Sequence, residues 1–380
     1  MLEVSLIIFG LGSVGRTLAR QILASRDFLA RRRGLRLRLV AFADSSGYRL
    51  APAGLLDEEI KHILAAKETG VPLAHQPGGQ PGPALALLET MNARADSPLI
   101  LVDVTASAEM GNVLRVALTK GWGVVTANKI PLTAPWEAAR LFFESDHVGY
   151  EATVGAGLPV IATLRTLLDG GDLPQRIKGL LSGTLGYICH RLQQGIPFST
   201  ALREAWERGY TEPDPRQDLG GLDVARKLLI LARTAGWPLE LADIAVQPLY
   251  PPEPADASVE EFMAVTVQAD ENFARRVREA RTKGQVLRYI GAVSAGGGKV
   301  GLQAVPEDSP WGTLRGADNL VAFHTAHYRD TPLVIIGPGA GPEVTAAGVL
   351  GDVVRIAKRE GHATRKARSI EHEARQDSIN

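Results

Sequence analysis

One cysteine, Cys189, stands among 380 residues, so no internal disulfide can form and the fold must rest on packing alone. Nothing at the start reads as a secretory leader. The apolar stretch Leu2–Phe9 has no basic flank before it and a glycine turn directly after it, which is the pattern of a buried first strand. With the cysteine usage, this points to a cytoplasmic protein. No apolar run approaches the ~20 residues that cross a bilayer, so no membrane partner is expected. Net formal charge is zero and the pI is near 7.1, which removes any electrostatic case for nucleic acid. Repeats and low-complexity tracts are missing too. The eight histidines do not pair with acids or cysteine at metal-ligand spacing and read as structural, with His324 and His327 in a strand-like run. There is no glycine-flanked serine elbow, and Cys189 reads as core.

What is present begins with length. A chain this long exceeds the roughly 250–300 residues at which a single core stops growing, so two domains are expected. Val4–Phe9, the run Gly10-Leu11-Gly12-Ser13-Val14-Gly15 and a helical pattern over Arg16–Leu23 follow in the order strand, glycine turn, helix. That is a dinucleotide fingerprint. The first glycine permits the turn, the second admits the pyrophosphate to the backbone, and the third lets helix and strand pack closely. A second strand, Leu35–Ala43, ends at Asp44, which is placed to hold the ribose hydroxyls of NAD; Ser45, Ser46 and Arg49 directly after it could instead accept the 2′-phosphate of NADP. The choice of coenzyme stays open. Gly70–Pro83 reads as a surface loop.

Leu99–Val104 is a third strand, ending in Thr105-Ala106-Ser107, and Gly123–Thr126 a fourth, ending in Ala127-Asn128-Lys129. Helical patterns separate them, so the sheet is parallel and doubly wound. Ligands collect at the carboxyl ends of such strands, where Thr105, Ser107, Asn128 and Lys129 lie. Helix capping accounts equally well for Thr105 and Ser107, and an exposed loop for Lys129. From Gly149 the chain changes character. Helices are expected at Val160–Leu168, Leu185–Gln193, Thr200–Arg208, Leu222–Thr234 and Val259–Ala280, then strands at Gln285–Val293, Lys299–Val305, Asn319–Tyr328 and Pro332–Ile336. The short connections between these strands imply a mixed or antiparallel sheet. The fold class is α/β, a Rossmann-like doubly wound parallel sheet (1–150) with an α+β domain (151–336). A last helix, 337–359, returns to the first domain, and a polar tail over 360–380 is frayed or disordered.

The most informative stretch is Thr211–Lys227. Prolines 213 and 215 push Glu212 and Asp214 out of helical geometry, which makes this part a shaped loop. Gly220-Gly221 turns the chain into an apolar helix with Asp223 in its first turn and Lys227 at i+4 on the same face. Arg226 and Arg233, seven apart, mark the expected solvent stripe, and Lys227 is turned roughly 100° from it toward apolar neighbours. The pattern leaves two readings, a structural ion pair or a tuned acid/base pair. Asp214 and Arg216 are expected only to shape the loop.

These segments, with Glu151-Ala152-Thr153-Val154-Gly155-Ala156-Gly157-Leu158-Pro159, Leu181-Ser182-Gly183-Thr184-Leu185 and Gly339-Ala340-Gly341 through Gly351-Asp352, resemble homoserine dehydrogenase from Leu2 to about Arg359. That family interconverts aspartate 4-semialdehyde and homoserine with NAD(P), on the route to threonine, methionine and isoleucine. The resemblance implies that Lys227 is the acid/base, that Asp223 orients it and that Lys129 contacts coenzyme and substrate. It implies an amino-acid pocket shaped by Gly183, Thr184, Tyr210, Glu212 and Asp218, and coenzyme contacts that include Gly341. It also implies a monovalent cation, Na or K, on main-chain carbonyls near Glu151, Val154, Ala156 and Leu158, and a homodimer formed through the strands from Gln285 to Tyr328. Gln217 stands where some relatives carry an acid, with little effect expected because Asp218 is kept. With no kinase-like segment before the first strand and no ACT-type domain after residue 360, a monofunctional enzyme without threonine feedback through such a domain is expected. Two rival readings stand beside this one: an NAD(P) oxidoreductase for another small aldehyde or hydroxy acid, and a non-catalytic nucleotide sensor.

Overall fold

The computed structural model describes residues 1–92, 97–250 and 257–377, which divide into two compact units. The first comprises Met1–Ala134, Ala138–Thr153 and the chain from Pro342 onward. Its strands are β1 (Leu2–Phe9), β2 (Leu35–Asp44), β3 (Gly47–Leu50), β4 (Gly79–Pro81), β5 (Leu99–Asp103), β6 (Gly123–Thr126) and β7 (Val148–Gly149), in the order β4-β3-β2-β1-β5-β6-β7. The five strands from β2 to β7 in that order are parallel, with β3 and β4 adding an antiparallel edge. Near-continuous burial along β1 and β5 is what a sheet covered on both faces requires. The order reverses between β1 and β5, so the carboxyl ends of these two strands frame the switch point.

β4 corrects the expectation of a plain loop over Gly70–Pro83: Leu73–His75 forms a 3₁₀ turn, and three residues then pair with β3. A helix at Ser13–Arg33 packs against the last helix, which buries Ala346, Val349, Val353, Ile356 and Ala357 in this unit's core. That last helix runs from Pro342 to Asp377, where the sequence suggested an end near Lys358. Its polar extension holds no glycine after Gly361 and no proline, so nothing breaks it.

The second unit comprises Pro135–Glu137 and Val154–Gly341. Its sheet contains β8 (Pro174–Leu180), β9 (Ile244–Val246), β10 (Gln285–Ser294), β11 (Gly297–Pro306), β12 (Asp318–Thr325) and β13 (Leu333–Pro338), ordered β13-β12-β8-β10-β11-β9. Pairing is antiparallel except between β11 and β9, hence a mixed sheet. The helical run expected over Val259–Ala280 is broken. It consists of Val259–Val265, a 3₁₀ turn at Thr266–Ala269 and Asp270–Arg281, because Thr266 is buried and spends its hydroxyl on the Met263 carbonyl.

Two features of Thr211–Lys227 differ from expectation. Arg216–Leu219 is a single helical turn, since Pro215 supplies a helical φ of −59° and Asp214 Oδ1 accepts the Arg216 amide in the manner of a cap. Arg233 is not on a solvent stripe: it is 2% exposed, donates to Leu239 O at 3.0 Å and to the Glu240 carboxylate at 2.9 Å, and lies over the Trp136 ring. The chain after the helix folds back over its C-terminal end, where a cation also suits the helix dipole.

Gly221 opens the helix Leu222–Thr234 in left-handed geometry (φ 73°), and a Cβ there would stand 2.1 Å from the Tyr289 hydroxyl, which is itself committed to Gln247 O at 2.7 Å. Gly221→Ala is therefore expected to destabilise the protein by about 2–4 kcal/mol, from left-handed strain and overpacking together. Chemical denaturation is the measurement, and a change below about 0.5 kcal/mol would contradict the geometry.

Candidate active site

In the first unit, Phe9 at the end of β1 leads into Gly10 (φ 97°), and the helix begins after Gly12. A Cβ on Gly15 would lie 1.9 Å from Gly10 O, so only glycine lets the helix leave the turn here. A Cβ on Gly12, by contrast, would meet nothing within 4 Å. That helix N-terminus has no side-chain cap and no acid in its first turn; Gly12 and Ser13 are exposed and Val14 is half-buried. Open amides at a positive helix end fit a pyrophosphate. The residues present thus suit a dinucleotide.

Asp44, the expected ribose ligand, is engaged by donors of the protein. Its Oδ1 accepts from the amide (2.8 Å) and hydroxyl (2.5 Å) of Ser46, and its Oδ2 from Lys67 Nζ (2.6 Å) and the Leu73 amide (3.1 Å). Four donors reach the two oxygens of the carboxylate, so Asp44 holds the turn between β2 and β3. Burial pushes its pKa up, but the hydrogen bonds from Lys67, Ser46 and Leu73 outweigh burial and hold the carboxyl below its ordinary range. Ser46 also accepts from the Ala74 amide, and Arg49 is paired with Glu59 at 2.6 Å, so both alternative phosphate ligands have protein partners; Ser45 is exposed.

At the carboxyl ends of β5 and β6, Thr105 Oγ1 accepts the Ser107 amide and Ser107 Oγ the Glu109 amide, both turn-forming contacts. Asn128 caps the short helix Lys129–Leu132 by accepting the Ile130 amide at 3.0 Å, which fixes where Lys129 leaves the backbone. Lys129 is half-buried. Glu151 is buried, and its amide donates to the buried Asp352 carboxylate at 2.8 Å.

In the second unit, Lys227 Nζ donates to Leu181 O at 2.6 Å and pairs with Asp223 Oδ2 at 2.9 Å; its side chain is 13% exposed against 46% for Asp223. Leu181 follows β8 and lies two residues before Gly183, where the next helix starts under a Ser182 cap. The Thr184 hydroxyl stands within reach of Tyr210 O and of Asp218 Oδ1, and having one proton it donates to one at a time. Asp218 Oδ2 accepts the Glu212 amide at 2.8 Å. Tyr210, half exposed, packs edge-on against Tyr187 with centroids 5.2 Å apart. Burial raises the Asp218 pKa, and the charges of Glu212 and Asp223 push in the same direction. Asp214 and Arg216 form an ion pair at 2.8 Å within the loop. Gly341 (φ 121°) ends this unit. Val154, Ala156 and Leu158 lie on a loop whose Gly155 and Ala156 are both left-handed, Ala156 at φ 55°. Three participants escaped the sequence reading: Leu181, which acts through its carbonyl, Lys67, at the end of an amphipathic helix, Asp57–Glu68, and Asp103, a strand residue. None carries a sequence signal of its role.

Among the described residues no group of three or more His, Cys, Asp or Glu could hold a metal, and no helix is long and apolar enough to cross a membrane. The fold and the glycine turn define the class, a two-unit NAD(P)-binding protein built on a Rossmann-like sheet. The family profile described as homoserine dehydrogenase matches residues 159–354, and that for the homoserine dehydrogenase NAD-binding domain matches residues 10–150. The chain belongs to the homoserine dehydrogenase family. It is 39% identical over 363 residues to the chloroplastic bifunctional aspartokinase/homoserine dehydrogenase 2 of Zea mays, covering 93% of this chain and 38% of that protein. It is 38% identical over 358 residues to the bifunctional aspartokinase/homoserine dehydrogenase of Haemophilus influenzae, covering 93% and 42%. The chain thus spans well under half the length of these relatives. Among solved structures, a hyperthermophilic archaeal homoserine dehydrogenase in complex with NADPH matches with a TM-score of 0.72 at 26% identity, covering 94% of this chain and 98% of that one. A Candida auris crystal structure of unknown function matches at 0.83 and 32%, covering 94% and 99%.

The Asp44 geometry has a pH consequence. A carboxyl held low by its partners stabilises the fold at neutral pH, and this contribution is lost as pH falls from the unfolded aspartate range through the depressed folded value. Asp44→Asn, which leaves Lys67 largely buried without its counter-charge, is expected to cost about 3 kcal/mol at pH 7 and to lose less stability than wild type on acidification below pH ~4. Urea unfolding at pH 7 and pH 3 checks both; parallel losses in the two proteins would refute the assignment.

Proposed function

We propose that the protein catalyses the NAD(P)-dependent interconversion of L-aspartate 4-semialdehyde and L-homoserine. The observation that carries this reading is Lys227, held by Leu181 O and Asp223 in the same unit as the acid pocket of Thr184, Glu212 and Asp218. The coenzyme, when bound, supplies or accepts the hydride. In the reducing direction the aldehyde carbon gains that hydride and its oxygen must gain a proton. Lys227 is the donor, and two of its three ammonium protons go to Leu181 and Asp223, which aims the third. Asp223 keeps the ammonium in place, and in the oxidising direction the proton returns to Nζ. Glu212 and Asp218 take the substrate's α-ammonium, Thr184, Gly183 and Tyr210 shape the pocket wall, and Lys129 contacts coenzyme and substrate.

For the coenzyme, Gly10, Gly12, Ser13, Val14 and Gly15 take the pyrophosphate, with Thr105, Ser107 and Gly341 as further contacts. NADP is favoured over NAD, because the Asp44 charge that would repel a 2′-phosphate is balanced by Lys67 at 2.6 Å. A Na or K ion on main-chain carbonyls near Glu151, Val154, Ala156 and Leu158 is supported by the left-handed Ala156. A non-glycine residue in that geometry carries about 1–2 kcal/mol of strain, of a kind that gathers at ligand sites. A homodimer is supported by partly exposed apolar residues on β11 and β13, namely Val305, Val334 and Ile336.

Homoserine-dependent reduction of NADP⁺ and NAD⁺ tests the proposal. Wild type is expected to turn over with a higher kcat/KM for NADP⁺, and Lys227→Ala to lose about 10²–10⁴-fold in kcat. No turnover with either coenzyme would sink the activity, an unimpaired Lys227→Ala the role of that lysine, and a preference for NAD⁺ the argument from Asp44.

A further inference from the structure

Asp103 ends β5, the strand between β1 and β6, opposite Phe9 on one side and Thr126 on the other. It is fully buried. Its Oδ1 accepts the Thr105 amide at 2.9 Å, and its Oδ2 accepts from Asn128 Nδ2 at 3.2 Å; the Thr126 hydroxyl stands 3.4 Å from Oδ2 and 3.4 Å from Asn128 O, and having one proton it donates to one at a time. Thr105 begins the loop after β5, and Asn128 the loop after β6. Asn128 is tied at every polar atom of its side chain: Nδ2 also donates to Ser107 O at 2.8 Å, and Oδ1 takes the Ile130 amide that starts the helix bearing Lys129. Thr126 Oγ1 accepts the Asn128 amide at 3.0 Å. One buried carboxylate therefore links Thr105, Ser107 and Lys129 through hydrogen bonds that run over Asn128.

We propose that Asp103 is a positioning residue that sets the Thr105–Ser107 and Asn128–Lys129 loops relative to each other for coenzyme binding. The proposal rests on the assignment of those loops to the coenzyme. The chemistry requires acceptors at both carboxylate oxygens. In Asp103→Asn, either orientation of the amide turns its NH₂ toward a donor, the Thr105 amide or the Asn128 NH₂. In Asn128→Asp, an acceptor faces Asp103 Oδ2. The exchange Asp103→Asn with Asn128→Asp restores donor to acceptor between the two residues, keeps the total charge and keeps the cap on Ile130, but it turns a carboxylate oxygen toward Ser107 O and removes the acceptor that Asp103 Oδ2 offers the Thr126 hydroxyl.

NADPH binding, followed by nicotinamide fluorescence without substrate, is the test. Each single variant is expected to raise Kd about tenfold or more, as one lost charge-assisted hydrogen bond implies, and the double variant to bind more tightly than either single variant. Thr126→Val removes only the hydroxyl between Asp103 and the Asn128 amide and keeps the shape. It is expected to raise Kd about threefold and decides the matter if the single variants do not fold. Single variants that bind like wild type, a double variant no better than the singles, or an unchanged Kd in Thr126→Val would each overturn the inference. A wild-type protein that fails to bind NADPH would overturn the coenzyme assignment and this inference with it.

Discussion

The ammonium of Lys227, at 2.6 Å from the carbonyl of Leu181, is the contact on which the second unit's candidate chemistry depends. A lysine on a helix can face many ways, and Asp223 one turn back restrains it only from its own helix. Leu181 restrains it from the sheet. The carbonyl is placed by β8, which ends one residue earlier and is paired on both sides, to β10 and to β12. Gly179 on β8 stands directly opposite Gly291 on β10. A Cβ on Gly291 would come within 2.5 Å of the Leu228 side chain, and one on Gly179 within 2.7 Å of the Leu181 side chain. This pair of bare positions lets the helix Leu222–Thr234 settle onto the sheet at the point where the strand gives up its last carbonyl.

Much of this was legible in the sequence, though unevenly. The glycine turn, the parallel strands of the first unit and the helix bearing Lys227 follow from period and punctuation, because each is buried on a well-defined face. β8 is not legible in the same way. Pro174-Gln175-Arg176-Ile177-Lys178-Gly179-Leu180 has only two large apolar residues, yet it is an interior strand of its sheet. Its partners supply the burial, and β-propensity reports fit to neighbours that a single sequence does not reveal. β9, with three residues, is too short to show alternation at all. The residues of the site could thus be picked out before the strand that aims one of them.

Buried charge is the second thing that pattern hides. A charged residue within an amphipathic helix is assigned to solvent by default, and that rule placed Arg233 wrongly. What buries Arg233 is Leu239, Glu240 and Trp136, one of them from a segment about a hundred residues away. The position of Asp44 after β2 gives no sign of its four donors either, which come from Ser46, Lys67 and Leu73. In both cases the charged group is withdrawn from solvent, Arg233 fully and Asp44 in part, because the surrounding fold satisfies it, a property of tertiary contacts and not of the local pattern.

Asp218 is the opposite case. Asp44 is held low by its donors, whereas burial raises Asp218 and two neighbouring acids, Glu212 and Asp223, raise it further. The sign follows. A folded-state pKa above the unfolded one means that the ionised pocket costs stability, a cost that sets in as pH rises from the unfolded value through the folded one. The Thr184 hydroxyl and the Glu212 amide donate to Asp218 and work against that cost. A ligand ammonium brought among Glu212, Asp218 and Asp223 removes the repulsion, whereas a neutral hydroxyl does not. Under the proposed function the acids would discriminate between an amino acid and a plain hydroxy acid by charge before any fine shape of the pocket is considered, which weighs against the broader oxidoreductase reading.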